Sequence, residues 1–130
     1  MNILLDTNAL IWILDQTDGR SFGKNALDKI NTADIVYSSS ISILEIRIKT
    51  MLGKLKSEED LSEDIILAGI KSLSFSSTHA DAITKFPNLS KHDPFDRMLL
   101  AQALTENLIF LTSDSLLIEL NLPFIIDTRK

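Results

Sequence analysis

Two aspartates three residues apart, Asp93 and Asp96, open an apolar helical run in KHDPFDRMLLAQA, residues 91–103, with Arg97 beside them. Asp93 can serve as a helix N-cap, with Pro94 in the first helical position and Asp96 where a capping box places its acidic member. A chemical role stands beside this structural one, because other carboxylates fall where solubility does not need them. Asp6 is the first charge after Ile3-Leu4-Leu5, and Asp114 is the first after Ile109-Phe110-Leu111. Either one alone suits an N-cap. On neighbouring strands of a parallel sheet, both would face one crevice beyond the strands' carboxyl ends.

Glu45 lies in SISILEIRIKTML between Ile41 four residues earlier and Ile48 three residues later, on an apolar face that burial should reach. An unpaired buried carboxylate is strongly unfavourable, so Glu45 needs a basic partner or a cation. Arg47, Lys49 and Arg97 are the basic candidates, and on spacing we expect neither Arg47 nor Lys49 to pair with it along the helix. Asp6, Glu45, Asp96 and Asp114 can thus converge at one end of the sheet, where they cannot all stay ionised without a counter-charge. With no Cys and two His in the chain, oxygen ligation selects Mg²⁺ or Mn²⁺ over zinc.

The elements that must position these acids alternate between short apolar runs and longer segments of helical period, the signature of βαβ units. Strands are expected at Asn2 to Asp6, Ile35 to Ser38, Leu73 to Ser76, Leu108 to Thr112 and Pro123 to Ile126. A first helix passes through Thr7 and Asn8 and ends near Asp15, where QTDGRS supplies a turn, and Ser21 caps a short helix through Leu27 and Ile30. A helix from Ser40 or Ser42 to Leu52, stopped by Gly53, forms a hairpin with one from Glu58 to Lys71. Further helices are expected at Thr78 to Lys85, Asp93 to Glu106 and Asp114 to Glu119. The fold class is α/β: five strands in one parallel sheet with helices on both faces, joined by right-handed crossovers.

The 130 residues make one domain, long enough for a core without staples. The absence of cysteine suits a reducing cytosol, and a cytoplasmic location is expected. MNILLDTNALIWIL carries Asp6 inside its apolar run and lacks a basic leader, so it reads as a buried strand and helix, neither signal peptide nor membrane span. Eighteen acidic against thirteen basic residues, a net charge of -5, on their face argue against a nucleic-acid partner.

The combination LLDTNALIW, SSISILEIRIK, KHDPFDRMLLAQA and LTSD resembles the PIN-domain ribonucleases, in particular the VapC toxins of bacterial toxin–antitoxin pairs. The resemblance runs over nearly the whole chain in the right order. It implies an Mg²⁺ site at Asp6, Glu45, Asp96 and Asp114, with polar residues Thr7, Asn8, Thr112 and Ser113 orienting the ligands. Asp93 is an added acid, left between helix cap and outer partner of the metal site. The resemblance also implies the strand order 3-2-1-4-5.

The chemistry expected is Mg-dependent endoribonuclease action on RNA phosphodiester bonds, with Glu45 either a ligand or the base that orients the water. A local basic path answers the acidic net charge: Arg47, Lys49, Lys54 and Lys56 cluster after Glu45, and Lys91 and Arg97 flank the Asp93 to Asp96 segment. Each can also be an ordinary helix-end cation. Glu58, Glu59, Asp60, Glu63 and Asp64 read as a solvated helix start, and His92 as structural. NALIWILD is apolar nearly all round, so Ile11 and Trp12 are expected to meet a homodimer mate or a small cognate antitoxin, unless the helix is simply sandwiched in the interior. The competing functions are an acidic-pocket phosphotransfer module, receiver or phosphatase, and a non-catalytic interaction module. The phosphatase wants a second Asp where Asn8 stands, and the receiver wants an acidic pair and a late Lys that the chain lacks.

Overall fold

Asn2–Leu5 (β1) is the axis of the molecule: three of its four residues are fully buried, as an apolar run flanked on both sides by other strands must be. A computed structural model describes residues 1–15, 22–55 and 60–130 of the chain. Ile35–Ser39 (β2) and Ile109–Thr112 (β4) pair with β1 in parallel on either side, and Lys71–Leu73 (β3) and Ile125–Asp127 (β5) form the edges. The order of this five-stranded sheet is β3-β2-β1-β4-β5, as expected.

Alternation along the strands divides the core into two layers. Ile3, Leu5 and Leu111 face one side, where Thr7–Leu14 (α1), Lys24–Thr32 (α2) and Leu61–Leu67 (α4) contribute Leu10, Ala26, Leu61 and Ile65. Leu4 and Phe110 face the other, against Leu99, Leu100 and Ala103 of Pro94–Thr105 (α6) and Leu117 of Ser115–Ile118 (α7). Ser40–Met51 (α3) contributes Ile46 to the first layer and Ile41 to the second, so it stands over an end of the sheet. Burial of each large side chain contributes about 1.5–3 kcal/mol, and truncating Phe110 or Leu99 would cost about 2–5 kcal/mol.

Several boundaries differ from expectation. The third strand lies at Lys71–Leu73, because the register pairs Tyr37 with Lys71 and Ser39 with Leu73; the Phe75 N–H leaves the ladder for Ser40 Oγ at 3.1 Å. The fifth begins after Pro123, which has no N–H to donate. α4 stops at Leu67 rather than Lys71, where Gly69 takes φ 78°. The segment expected as one helix over Thr78 to Lys85 is a short α-helix, Ser77–Asp81 (α5), tightening into a 3₁₀ turn at Ala82–Lys85. The QTDGRS turn, Ser21 and Glu58 lie outside the described residues; α2 itself starts at Lys24 with Gly23 at its N-cap position.

Candidate active site

β1 and β4 pair side by side, and the acid that follows each, Asp6 and Asp114, caps the helix that leaves it. The Asp6 N–H donates to Leu111 O at 2.9 Å, continuing the ladder one step beyond β1. The Asp6 side chain then turns to cap α1, accepting from the Ala9 N–H at 2.7 Å through Oδ1 and from the Ser113 N–H at 3.1 Å through Oδ2. Asp114 caps α7 through Oδ1, accepting from the Leu117 N–H at 3.0 Å, while its own N–H donates to Thr112 Oγ1 at 3.1 Å. Asp93 caps α6, accepting from the Phe95 N–H at 2.8 Å. The N-cap role and membership of the acidic group therefore coexist, since one oxygen of Asp114 caps its helix and leaves the other for the crevice.

Asp96, in the first turn of α6, meets Asp114. His92 Nε2 lies 3.1 Å from Asp114 Oδ2 and 3.4 Å from Asp96 Oδ2, so one imidazole bridges both carboxylates. One ligand atom from each of His92, Asp96 and Asp114 lies within 4.8 Å of the others. Burial, a proton shared with Asp114 and the negative charge of Asp114, Asp93 and Glu45 push the Asp96 carboxyl up to about 8. Burial works to raise Asp114 as well, but the Leu117 N–H, the Asp96 proton and His92 outweigh it and hold its pKa below the ordinary value. Asp6 is pushed up chiefly by burial, opposed by its hydrogen bonds with Ala9, Thr112 and Ser113, and pushed further by Glu45.

Glu45 is buried, and both of its oxygens are engaged. Thr7 Oγ1 donates to Oε1 at 2.7 Å and lies 3.0 Å from Ser42 Oγ; Lys49 Nζ is 2.8 Å from Oε2. The expectation that Lys49 would not reach Glu45 along α3 is wrong: Lys49 stands four residues further on, just over one turn, and the ion pair forms. Lys49 is thus tied to Glu45, and its pKa is raised, first by the bond to Glu45 and also by Asp93 and Asp96.

The remaining expected residues are distributed unevenly. Thr7, Thr112 and Ser113 hold the acids, whereas Asn8 is exposed at the start of α1. Lys54 and Lys91 are exposed, Arg47 and Arg97 are half-buried, Arg97 Nε is buried without a hydrogen-bond partner, and Lys56 lies outside the described residues. Ile11 and Trp12 are half-buried against the core, with Trp12 edge-on to Phe22 at 5.4 Å. The exposed apolar surface lies instead on Leu44, Ile48, Met51 and Leu52 of α3 and its C-terminal end, and on Ile66 and Leu67 of α4.

His92 is the residue that sequence reasoning missed as a member of the group. The signal was its i,i+4 spacing to Asp96, visible in HDPFD. An open depression of about 1070 Å³, lined by residues including Ser77, Thr84, Lys85 and Thr105, lies apart from the four acids, and a smaller one of about 500 Å³ is lined by residues including Lys91 and His92.

A family model described as the PIN domain matches residues 3–121. No curated protein sequence matches the chain. Among solved structures, VapBC-1 from nontypeable Haemophilus influenzae is 20% identical with a TM-score of 0.70, covering 100% of both chains. A toxin–antitoxin complex from Klebsiella pneumoniae is 16% identical with a TM-score of 0.67 over 98% of both chains. VapBC2 from Rickettsia felis, bound to a DNA fragment from its promoter, is 19% identical with a TM-score of 0.66 over 97% of this chain and 96% of that one.

Proposed function

The chain belongs to the PIN domain family, and from that premise we propose that it is a divalent-metal-dependent endoribonuclease that acts as the toxin of a toxin–antitoxin pair. The observation that carries the reading is the convergence of Asp96 and Asp114, bridged by His92, with Asp6 and Glu45 within electrostatic reach. Carboxylates pressed together until one retains its proton near neutral pH are a site in want of a cation. The carboxylate oxygens fit Mg²⁺ or Mn²⁺, with His92 as the partner that orients Asp96 and Asp114 rather than a ligand.

Asp6, Asp96 and Asp114 would hold the cation directly or through water, with Glu45 as a further ligand or as the group that orients the attacking water. When bound, the cation activates that water and neutralises charge on the scissile phosphate. Ser113 and Thr112 fix Asp6 and Asp114 by backbone and hydroxyl hydrogen bonds, so the oxygens are aimed before substrate arrives. Asp93 anchors the first turn of α6 and thereby sets the position of Asp96. Lys54 and Lys91, both exposed, with Arg47 and Arg97, supply the cations for an RNA backbone on a chain whose net charge is -5.

A phosphatase-type phosphotransfer role with Asp6 as nucleophile is disfavoured by Asn8, which stands where a second Asp would be required. The toxin role draws support from the toxin–antitoxin complexes among the similar structures. The exposed apolar side chains of α3 and α4 suit an amphipathic antitoxin segment, which would send a basic residue toward the carboxylates. The function is tested by incubating the protein with RNA in Mg²⁺, in Mn²⁺ and in chelator. Cleavage is expected only with metal, and equal cleavage in chelator overturns the reading.

A further inference from the structure

Lys49 differs from the other basic residues near the site. Its Nζ is 2.8 Å from Glu45 Oε2, and the negative charge of Asp93 and Asp96 further favours its charged form. The Glu45 side chain is 8% exposed and that of Lys49 is 44% exposed. Lys49 therefore reaches the buried carboxylate from the rim of the crevice, on a flexible four-carbon stem. Thr7 holds the other oxygen of Glu45 at 2.7 Å. Glu45 is thus satisfied by the chain itself, through one hydroxyl and one ammonium.

We propose that Lys49 is a resident counter-ion of the acidic crevice, occupying on Glu45 the place of a divalent cation and yielding Oε2 when the metal binds. The inference rests on the metal-dependent reading above and adds an internal competitor that sets metal affinity. Crowded carboxylates require positive charge in every state. Without metal, Lys49 supplies it at Glu45. A cation entering beside Glu45 must overcome the attraction of Lys49 for the same oxygen and its repulsion as a like charge.

Removing the ammonium therefore has two effects of opposite sign. The metal-free protein loses the partner of a buried carboxylate and is destabilised, while the metal is bound more tightly and its stabilising effect grows. A lysine with a purely structural role would produce only the first.

The test titrates Mn²⁺ into the full chain by electron paramagnetic resonance, without RNA and at fixed ionic strength, for wild type, Lys49→Gln and Lys49→Arg. Melting is followed with and without the ion. Lys49→Gln is expected to bind Mn²⁺ about tenfold tighter, to melt lower without metal and to gain more from it; Lys49→Arg should stay near wild type. Unchanged or weaker binding by folded Lys49→Gln overturns the inference. Should that variant not fold, the side-chain ammonium resonance of Lys49 in the wild type decides. Its release from Glu45 on adding Mg²⁺ supports the exchange, and its persistence under saturating Mg²⁺ overturns it. Absence of any metal binding by wild type overturns the metal-dependent reading itself, and this inference with it.

Discussion

Asp96 holds a proton that an ordinary aspartate has lost by neutral pH, with its pKa at about 8 against 3.8 for the isolated group. The folded protein therefore binds more protons than the unfolded chain between these values, and the contribution of Asp96 to stability falls as pH rises from about 4 to about 8. Thermal melts of metal-free protein at constant ionic strength should record this decline, set against the opposite contribution of Asp114 below about pH 4. A metal-free stability that does not fall across that window would contradict the crowding of Asp96 and Asp114. Asp96→Asn should flatten the profile and raise stability near pH 8, because the amide needs no counter-charge. The same substitution should lower RNA cleavage by at least about 100-fold. Asp6→Asn is a less clean probe, since both Asp6 oxygens accept N–H bonds and an amide offers only one acceptor.

At the scale of elements, the start of α6 joins folding to the site through Asp93. Asp93→Ala should cost about 1 kcal/mol through removal of the N-cap, measured by urea unfolding, and should weaken metal binding by loosening the turn that carries Asp96. The α3 and α4 surface separates partner binding from the fold. Leu44→Asp combined with Met51→Asp changes exposed positions, so unfolding should be nearly unaffected while affinity for a cognate antitoxin falls at least about tenfold. Trp12→Ala should behave differently, because Trp12 packs edge-on against Phe22 within the core layer. Its main effect should be a stability loss of about 2 kcal/mol, measurable without any partner. If Trp12→Ala leaves stability intact and abolishes antitoxin binding while the α3 variant binds normally, the docking surface belongs to α1.

For the molecule as a whole, an acidic chain that cleaves RNA must do so through local charge. Lys54→Gln with Lys91→Gln, both at exposed positions, should weaken RNA binding and reduce its salt slope by about 1 for each phosphate no longer neutralised, leaving Mn²⁺ affinity nearly unchanged. An unaltered slope would place the RNA path elsewhere. The α/β class and the strand-end position of Asp6 and Asp114 were legible in the sequence, because a buried parallel strand is a short apolar run and the first charge after it marks where the strand leaves the core; the strand order came only with the family resemblance. Edge strands were less legible: two of the three β3 residues are exposed and the strand is set by register with β2, while Phe75 lies beyond its end and packs against the second core layer. The pairing of Lys49 with Glu45 was legible too, since i,i+4 spacing puts both on one helix face, and the contrary expectation had no physical basis. The bridge from His92 to Asp114 could not be read in the same way, since the two are separated by α6 and β4 and meet only when β4 returns beside β1. Periodicity records which face of an element is buried, and it contains no measure of the distance between side chains on different elements. The protonation of Asp96, the Thr7 hydroxyl on Glu45 and the exposure of apolar side chains on α3 and α4 were decided by those distances, and so by the tertiary structure alone.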